Sequence, residues 1–167
     1  MRNCPIGLPL LLVAGLWAGP GFGLSRPHLC AAGEEAVFAC ATRSSKIIAL
    51  CASPDLGEDK GSSRFISGVR GKIELSYPTQ DTAPRATFSY GVTGGTAGGA
   101  EFLRFDSNGS TYTVLSDYYR GRERAGLVVE RGGKRMSVQI CKGSATDGWS
   151  TIYRARLPNT SPDFDPP

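Results

Sequence analysis

The chain has 167 residues, of which 19 are Lys or Arg and 15 are Asp or Glu, and its formal net charge is +4. A charge this small mainly supports solubility and does not by itself indicate a polyanionic partner. The only histidine, His28, stands beside Pro27 in a short linker, so the composition argues against Ser-His or Cys-His catalysis.

Residues 1–23 have the pattern of a cleaved secretory signal peptide. One positive charge at Arg2 precedes an apolar run from Ile6 to Trp17, which is too short to cross a bilayer core of about 30 Å. Cleavage leaves one domain over residues 24–156 and a tail over residues 157–167, whose Pro and Asp content predicts flexibility. We therefore expect a periplasmic or secreted protein with no transmembrane segment after cleavage.

Four cysteines remain in the mature chain, and an even number in an exported protein predicts two disulfides. A hairpin with its turn near Ser45 would place Cys40 opposite Cys51. Cys141 falls on the polar side of its strand, so Cys30 in the incoming segment is a suitable partner. We favour Cys40–Cys51 with Cys30–Cys141, and the alternative is Cys40–Cys141 with Cys30–Cys51.

The rest of the mature chain is a series of short β-type runs without an apolar helical period. Alternation is clearest at Ile73-Leu75-Tyr77, Phe88-Tyr90-Val92 and Met136-Val138-Ile140, and each set is predicted to face the core. Weaker strands are predicted at 35–42, 46–52, 63–67, 101–106, 111–116, 125–130 and 150–155. The fold prediction is an all-β, disulfide-stabilised single antiparallel domain of about eight to ten short strands, a barrel or a sandwich.

Turn chemistry supports antiparallel pairing of neighbouring strands. Asn108-Gly109 and Gly132-Gly133 accept the positive φ of tight hairpins, and residues 43–46 form a short polar turn. The glycine-rich residues 91–99 are followed by a strand instead of a helix, so they predict a flexible strand connection and not a phosphate-binding loop.

Two groups of side chains are candidates for chemistry. Glu74 and Glu101 are the carboxylates in apolar strand contexts, and a pair of such acids is the requirement for glycoside hydrolysis. The densest basic and aromatic cluster is the candidate ligand site and suits an acidic glycan or envelope protein; its other interpretation is a long solvated connection between strands. Its members are Tyr118, Tyr119, Arg120, Arg122 and Arg124.

The run from Cys30 to Cys40, the segment Lys46 to Ser53 and the segment Gly71 to Pro78 resemble small exported proteobacterial proteins that have no assigned activity. A looser similarity in size, export and the Phe-x-Cys opening is to the periplasmic β-barrel inhibitors of C-type lysozyme. Their Ser-Gly-x-x-Tyr motif is absent, because Ser67-Gly68 is followed by Val69, Arg70 and Gly71.

The sequence therefore predicts an exported, non-enzymatic binding or interaction domain, with an anionic envelope component as the candidate ligand. The alternatives are an inhibitor of a cell-wall hydrolase and a carboxylate-dependent hydrolase. Neither a cofactor nor a metal ion is expected, and nucleic acid is disfavoured because no nucleic-acid-binding module surrounds the arginine cluster.

Overall fold

Two antiparallel sheets make up most of the structure. The computed structural model describes residues 27–80, 82–160 and 166–167, so the predicted signal peptide over residues 1–23 lies outside the described residues. The four-stranded sheet has the order β1 (Glu35–Ala41), β2 (Ile47–Ala52), β3 (Ser63–Val69) and β4 (Lys72–Tyr77). The five-stranded sheet has the order β5 (Ser89–Gly95), β6 (Gly98–Ser107), β7 (Ser110–Tyr119), β8 (Arg122–Arg131) and β9 (Lys134–Ile140). The predicted all-β, disulfide-containing antiparallel fold is confirmed.

The two sheets face each other across one apolar core and are not closed into a barrel. The Phe105 ring of β6 is central to this core: its centroid lies 5.0 Å from that of Phe65 in β3 and 4.6 Å from that of Tyr77 in β4. Phe88 and Tyr112 pack against the same ring at 5.6 and 4.9 Å. Aromatic side chains therefore join the sheets.

The sheets also meet at one edge. Thr42, just after β1, forms an antiparallel bridge with Cys141, just after β9. Beyond this bridge the chain runs along the edge of β1, where the Lys142 N–H donates to the Ala41 carbonyl (2.7 Å) and the Thr146 N–H donates to the Ala39 carbonyl (2.9 Å). The edge of β1 is thereby covered.

Strands β4 and β9 occupy the ends of the strand order, and both are protected against pairing with another chain. The register places an extra residue in each, Glu74 in β4 and Met136 in β9. Bulges and edge lysines, here Lys72 and Lys134, discourage strand addition.

Two short helices complete the domain, α1 (Pro84–Thr87) and α2 (Trp149–Arg154). The predicted strand at 150–155 is wrong, because this segment belongs to α2. Trp149 and Ile152 are both buried, and a helix places residues three apart on one side, so packing against the core overrides β propensity. No helix among the described residues is long and apolar enough to cross a membrane.

The disulfides are Cys30–Cys51 and Cys40–Cys141, so the favoured pairing was wrong and the alternative is the one observed. Cys40 packs in the core between the sheets, whereas Cys51 packs with Ala39 and Ala49 on the opposite face of the first sheet. Side chains on opposite faces of one sheet cannot bridge. Cys141 likewise lies in the core and not on a polar face.

The first four residues of the predicted tail, 157–160, are packed on the domain. Leu157 is buried, the Tyr90 N–H donates to the Pro158 carbonyl and the Thr160 N–H donates to the Tyr90 carbonyl, both at 2.9 Å. Residues 157–160 therefore dock along the edge of β5, which the sequence did not predict. Residues 161–165 lie outside the described part of the chain.

Candidate functional site

The second sheet extends beyond the first at one end. Strands β6, β7 and β8 have ten residues each, whereas the strands of the first sheet have six or seven. On the inner face, which points towards the first sheet, Val114 and Leu127 are buried in mid-sheet, but Val92 and Tyr118 at the end are 55% and 53% exposed. We call this end, which carries the β5–β6 and β7–β8 turns, the overhang.

Strand register arranges the inner face of the overhang in two cross-strand rows. Neighbours in one row have side chains on the same face, because antiparallel partners lie directly opposite each other. The row nearer the core is Val92, Glu101, Ser116 and Ala125, and the outer row is Gly94, Gly99, Tyr118 and Glu123. An added Cβ at Gly94 would meet nothing within 4 Å, so this end of the outer row is open.

Residues 142–149, which we call the cleft wall, face the overhang and enclose a cavity of about 440 Å³, the overhang cleft. This volume lies within the usual range of small-ligand sites. Glu101, Glu123 and Asp147 line the cleft together with Tyr118 and Trp149. The cleft therefore combines carboxylates with exposed aromatic surface.

A chain of hydrogen bonds holds one of these carboxylates in place. The Tyr90 hydroxyl donates to the Tyr153 hydroxyl (3.0 Å), which donates to Glu101 Oε1 (2.5 Å). Burial, followed by this hydrogen bonding and the Glu101 charge, raises the pKa of Tyr90 well above its ordinary value of 10.0. Burial and the hydrogen bond to Glu101 raise the pKa of Tyr153 as well. Both phenols stay protonated donors near neutral pH.

The raised tyrosine pKa values predict a loss of stability in alkaline solution. Above pH 10.0 the unfolded chain releases the protons of Tyr90 and Tyr153, whereas the folded domain keeps them, so the free energy of unfolding should fall as pH rises. Ultraviolet absorbance titration of the phenolates should show a component above pH 10.0 that Tyr90→Phe and Tyr153→Phe each reduce. A wild-type titration completed near the ordinary pKa would contradict this.

The predicted tyrosine and arginine cluster is the tip of a hairpin and not a long connection. Arg120 and Gly121, both with positive φ (48° and 79°), form the two-residue turn between β7 and β8. Register then separates the members: Tyr118 is on the inner face in the cleft, whereas Tyr119 pairs with Arg122 on the outer face. The cluster therefore does not form one surface.

Arg124 is also on the outer face, where it is paired. Its guanidinium donates to both oxygens of Asp117, Nε to Oδ1 at 3.0 Å and Nη2 to Oδ2 at 2.6 Å, and also to the Pro167 carbonyl. The Asp117 side chain is only 3% exposed. Arg124 thus neutralises a buried carboxylate, so it is not available as predicted for an anionic ligand.

The other sequence candidates lie apart. Glu74 is in the first sheet and pairs with Lys46 at 2.5 Å, whereas Glu101 is in the second sheet and lines the overhang cleft, which Glu74 does not. His28 is half-buried, and its Nδ1 atom has no hydrogen-bond partner in the described residues.

Two residues that line the cleft, Asp147 and Glu123, were not predicted from the sequence, and neither was Tyr153, which donates a hydrogen bond to Glu101. Asp147 and Tyr153 come from the wall and α2, and their approach to Glu101 depends on long-range packing that leaves no local pattern. Glu123 had a detectable signal, because strand alternation from Leu127 and Ala125 places it on the inner face beside Tyr118.

Comparison with known proteins adds no assignment. The chain matches no family model. No curated protein and no solved structure matches it either. The resemblance to exported proteobacterial proteins and to the lysozyme inhibitors stays a prediction.

Proposed function

We propose that this protein is an exported, non-enzymatic binding domain whose overhang cleft takes a sugar-like ligand that carries hydroxyl or ammonium donors. The observation that carries this proposal is the open cleft whose lining combines the exposed Tyr118 with the acidic residues Glu101, Glu123 and Asp147. The two disulfides support export, since such bonds form and persist in oxidising compartments.

The ligand class follows from what the cleft offers. Glu101, Glu123 and Asp147 offer carboxylate oxygens as hydrogen-bond acceptors, so the ligand must supply the donors. The face of Tyr118 can stack against the apolar face of a sugar ring or against an ammonium group. The carboxylates would repel a uronic acid or a phosphate, so an anionic ligand does not suit this cleft.

The overhang cleft does not contain the predicted acid pair, because Glu74 is not among its lining residues. Glu101 is held by the Tyr153 hydroxyl, and its expected acidic partner, Glu74, belongs to the other sheet. Two-carboxylate hydrolysis requires both acids to flank one bond at roughly 5–10 Å.

Tyr118→Ala should weaken ligand binding about tenfold or more, because it removes the central stacking surface of the cleft. Tyr119→Ala is the matched control: it changes the neighbouring residue, which is similarly exposed but lies on the outer face. Isothermal titration with glucosamine and N-acetylglucosamine oligosaccharides measures both variants. Equal affinity of the two variants for a sugar that the wild type binds would contradict the cleft as the binding site.

A second pair of variants tests the site by obstruction. A Cβ atom added at Gly94 or at Gly95 meets nothing within 4 Å, and neither residue has positive φ, so both positions accept side chains. Gly94 lies in the outer row of the overhang, opposite Gly99, which lines the cleft, whereas a side chain at Gly95 would lie on the opposite face. Gly94→Trp should reduce binding while Gly95→Trp leaves it unchanged, and both variants should keep wild-type stability.

The outer face carries a second candidate function, recognition of an acidic glycan or an envelope protein. Arg120 stacks on the Tyr119 ring at 5.3 Å, and neither Arg120 nor Arg122 has an ion-pair partner in the described part of the chain. Two exposed cations beside an aromatic ring suit a carboxylate or sulfate group.

Arg120→Ala with Arg122→Ala should abolish any binding to an acidic oligosaccharide while the free energy of unfolding changes by less than about 0.5 kcal/mol. Wild-type binding of this kind should weaken as salt increases, because the contacts are exposed. Retention of the acidic oligosaccharide by the double variant at low and high salt would remove this surface as a candidate.

The lysozyme-inhibitor alternative has less support. Ser67 and Gly68, where the inhibitor motif would begin, lie within β3, and Ser67 is buried. Inhibition of a C-type lysozyme by the purified domain would favour this alternative.

A further inference from the structure

The cleft wall is attached to the first sheet, although the floor of the cleft belongs to the second. Besides the two backbone hydrogen bonds to β1, Gly148 packs directly on the Val37 backbone, where an added Cβ would lie 2.6 Å from the Val37 carbonyl oxygen. Trp149 then packs against Phe38 with ring centroids 6.1 Å apart. The width of the cleft therefore depends on how firmly the wall is held to β1.

The Cys40–Cys141 disulfide lies at the start of this attachment. Cys40 is in β1, and Cys141 is the residue at which the chain leaves β9 and enters the wall. Cys30–Cys51, in contrast, joins the segment before β1 to β2 on the opposite face of the first sheet. Only the Cys40–Cys141 disulfide is therefore placed to hold the cleft wall on β1.

We propose that the Cys40–Cys141 disulfide is a redox latch of the overhang cleft. Its reduction releases the wall from β1 and removes ligand binding, whereas loss of Cys30–Cys51 leaves the cleft formed. The predicted loss of ligand binding rests on the proposed function, whereas the predicted release of the wall does not.

The redox step is an ordinary exchange with a dithiol. The dithiol gives two electrons and two protons, Cys40 and Cys141 become thiols, and the dithiol becomes a cyclic disulfide. Cys40 and Cys141 are only 3% and 5% exposed, so attack on their bond requires the wall to open first. A ligand that holds the wall closed should slow this reduction by mass action.

The test compares Cys40→Ala/Cys141→Ala with Cys30→Ala/Cys51→Ala as the matched control, each keeping the other disulfide. Amide hydrogen exchange at Thr146 and acrylamide quenching of Trp149 report whether the wall is attached to β1. In the first variant Thr146 should exchange at least about tenfold faster relative to β2 and β3 amides, and quenching should rise. Equal protection of Thr146 in both variants would overturn the latch.

Gly148→Ala provides a second route if the first variant does not fold, since it disturbs the wall with both disulfides intact. Dithiol reduction followed by alkylation and peptide mass analysis should then show faster loss of Cys40–Cys141 and an unchanged rate for Cys30–Cys51. Unchanged rates for both bonds would overturn the proposal.

Binding of a glucosamine oligosaccharide is measured on the same proteins. Failure of wild type to bind this probe would count against the proposed function while the exchange data still decide the latch. Retained binding in a variant with a released wall would refute the coupling between attachment of the wall and ligand binding.

Discussion

Phe105→Ala is expected to lower the free energy of unfolding by about 4 kcal/mol, the largest effect of any single substitution considered. Phe105 is 3% exposed and packs against rings from both sheets, those of Phe65 and Tyr77 on one side and Phe88 and Tyr112 on the other. Truncation leaves a cavity that four aromatic neighbours cannot close by small movements. The cost of this cavity therefore adds to the transfer free energy that is lost with the ring.

Chemical denaturation of the oxidised protein measures this effect from the midpoint and slope of the transition. Met136→Ala is the control: it removes a comparably large apolar side chain that is 59% exposed, and it should change stability by less than about 0.5 kcal/mol. A similar small change for Phe105→Ala would mean that the sheets do not depend on this contact.

Arg124→Ala is expected to lower the free energy of unfolding by about 2 kcal/mol, because it leaves the carboxylate of Asp117 buried without its cation. The value is below that of a fully buried pair, since the Arg124 side chain is 38% exposed. Arg122→Ala, on the same face of the same strand, should change stability by less than about 0.5 kcal/mol.

A double-mutant cycle with Asp117→Asn separates the pair from its surroundings. Arg124→Ala combined with Asp117→Asn should be more stable than Arg124→Ala alone, because the buried group no longer carries a charge. If Arg122→Ala and Arg124→Ala destabilise equally, the assignment of Arg124 to Asp117 is wrong.

Local turn chemistry was sufficient to predict several connections. Asn108-Gly109 and Gly132-Gly133 both have positive φ and join neighbouring antiparallel strands, as their sequences indicate. These connections, together with alternating runs, were enough for the all-β class and for the number of strands.

Face assignment was less reliable, because alternation alone does not say which side is inside. Met136 and Val138 were predicted to face the core, yet they are exposed, and the inward positions belong to Gln139 in β9 and Cys141 just after it. Edge strands have little buried area on either side, so apolar side chains there do not mark the core. The same error placed Cys141 on the wrong face and led to the wrong disulfide pairing.

The candidate site was predictable only in part. The cluster from Tyr118 to Arg124 was located in the sequence, but its division between two faces depends on the two-residue turn at Arg120-Gly121, which was missed. The cleft itself requires the wall and α2, which approach Glu101 from positions more than 40 residues further along the chain. Contacts of that separation have no signature in a single sequence.

Strands β6, β7 and β8 are longer than the strands of the first sheet, so the depth of the cleft can change while the core stays the same. Each residue added to both β7 and β8 at their shared turn would extend the floor by about 3.3 Å without touching Phe105 or its neighbours. The same holds for β5 and β6 at residues 96–97. Insertions at these two exposed turns, where changes are tolerated best, would therefore alter the depth of the cleft while leaving the core intact.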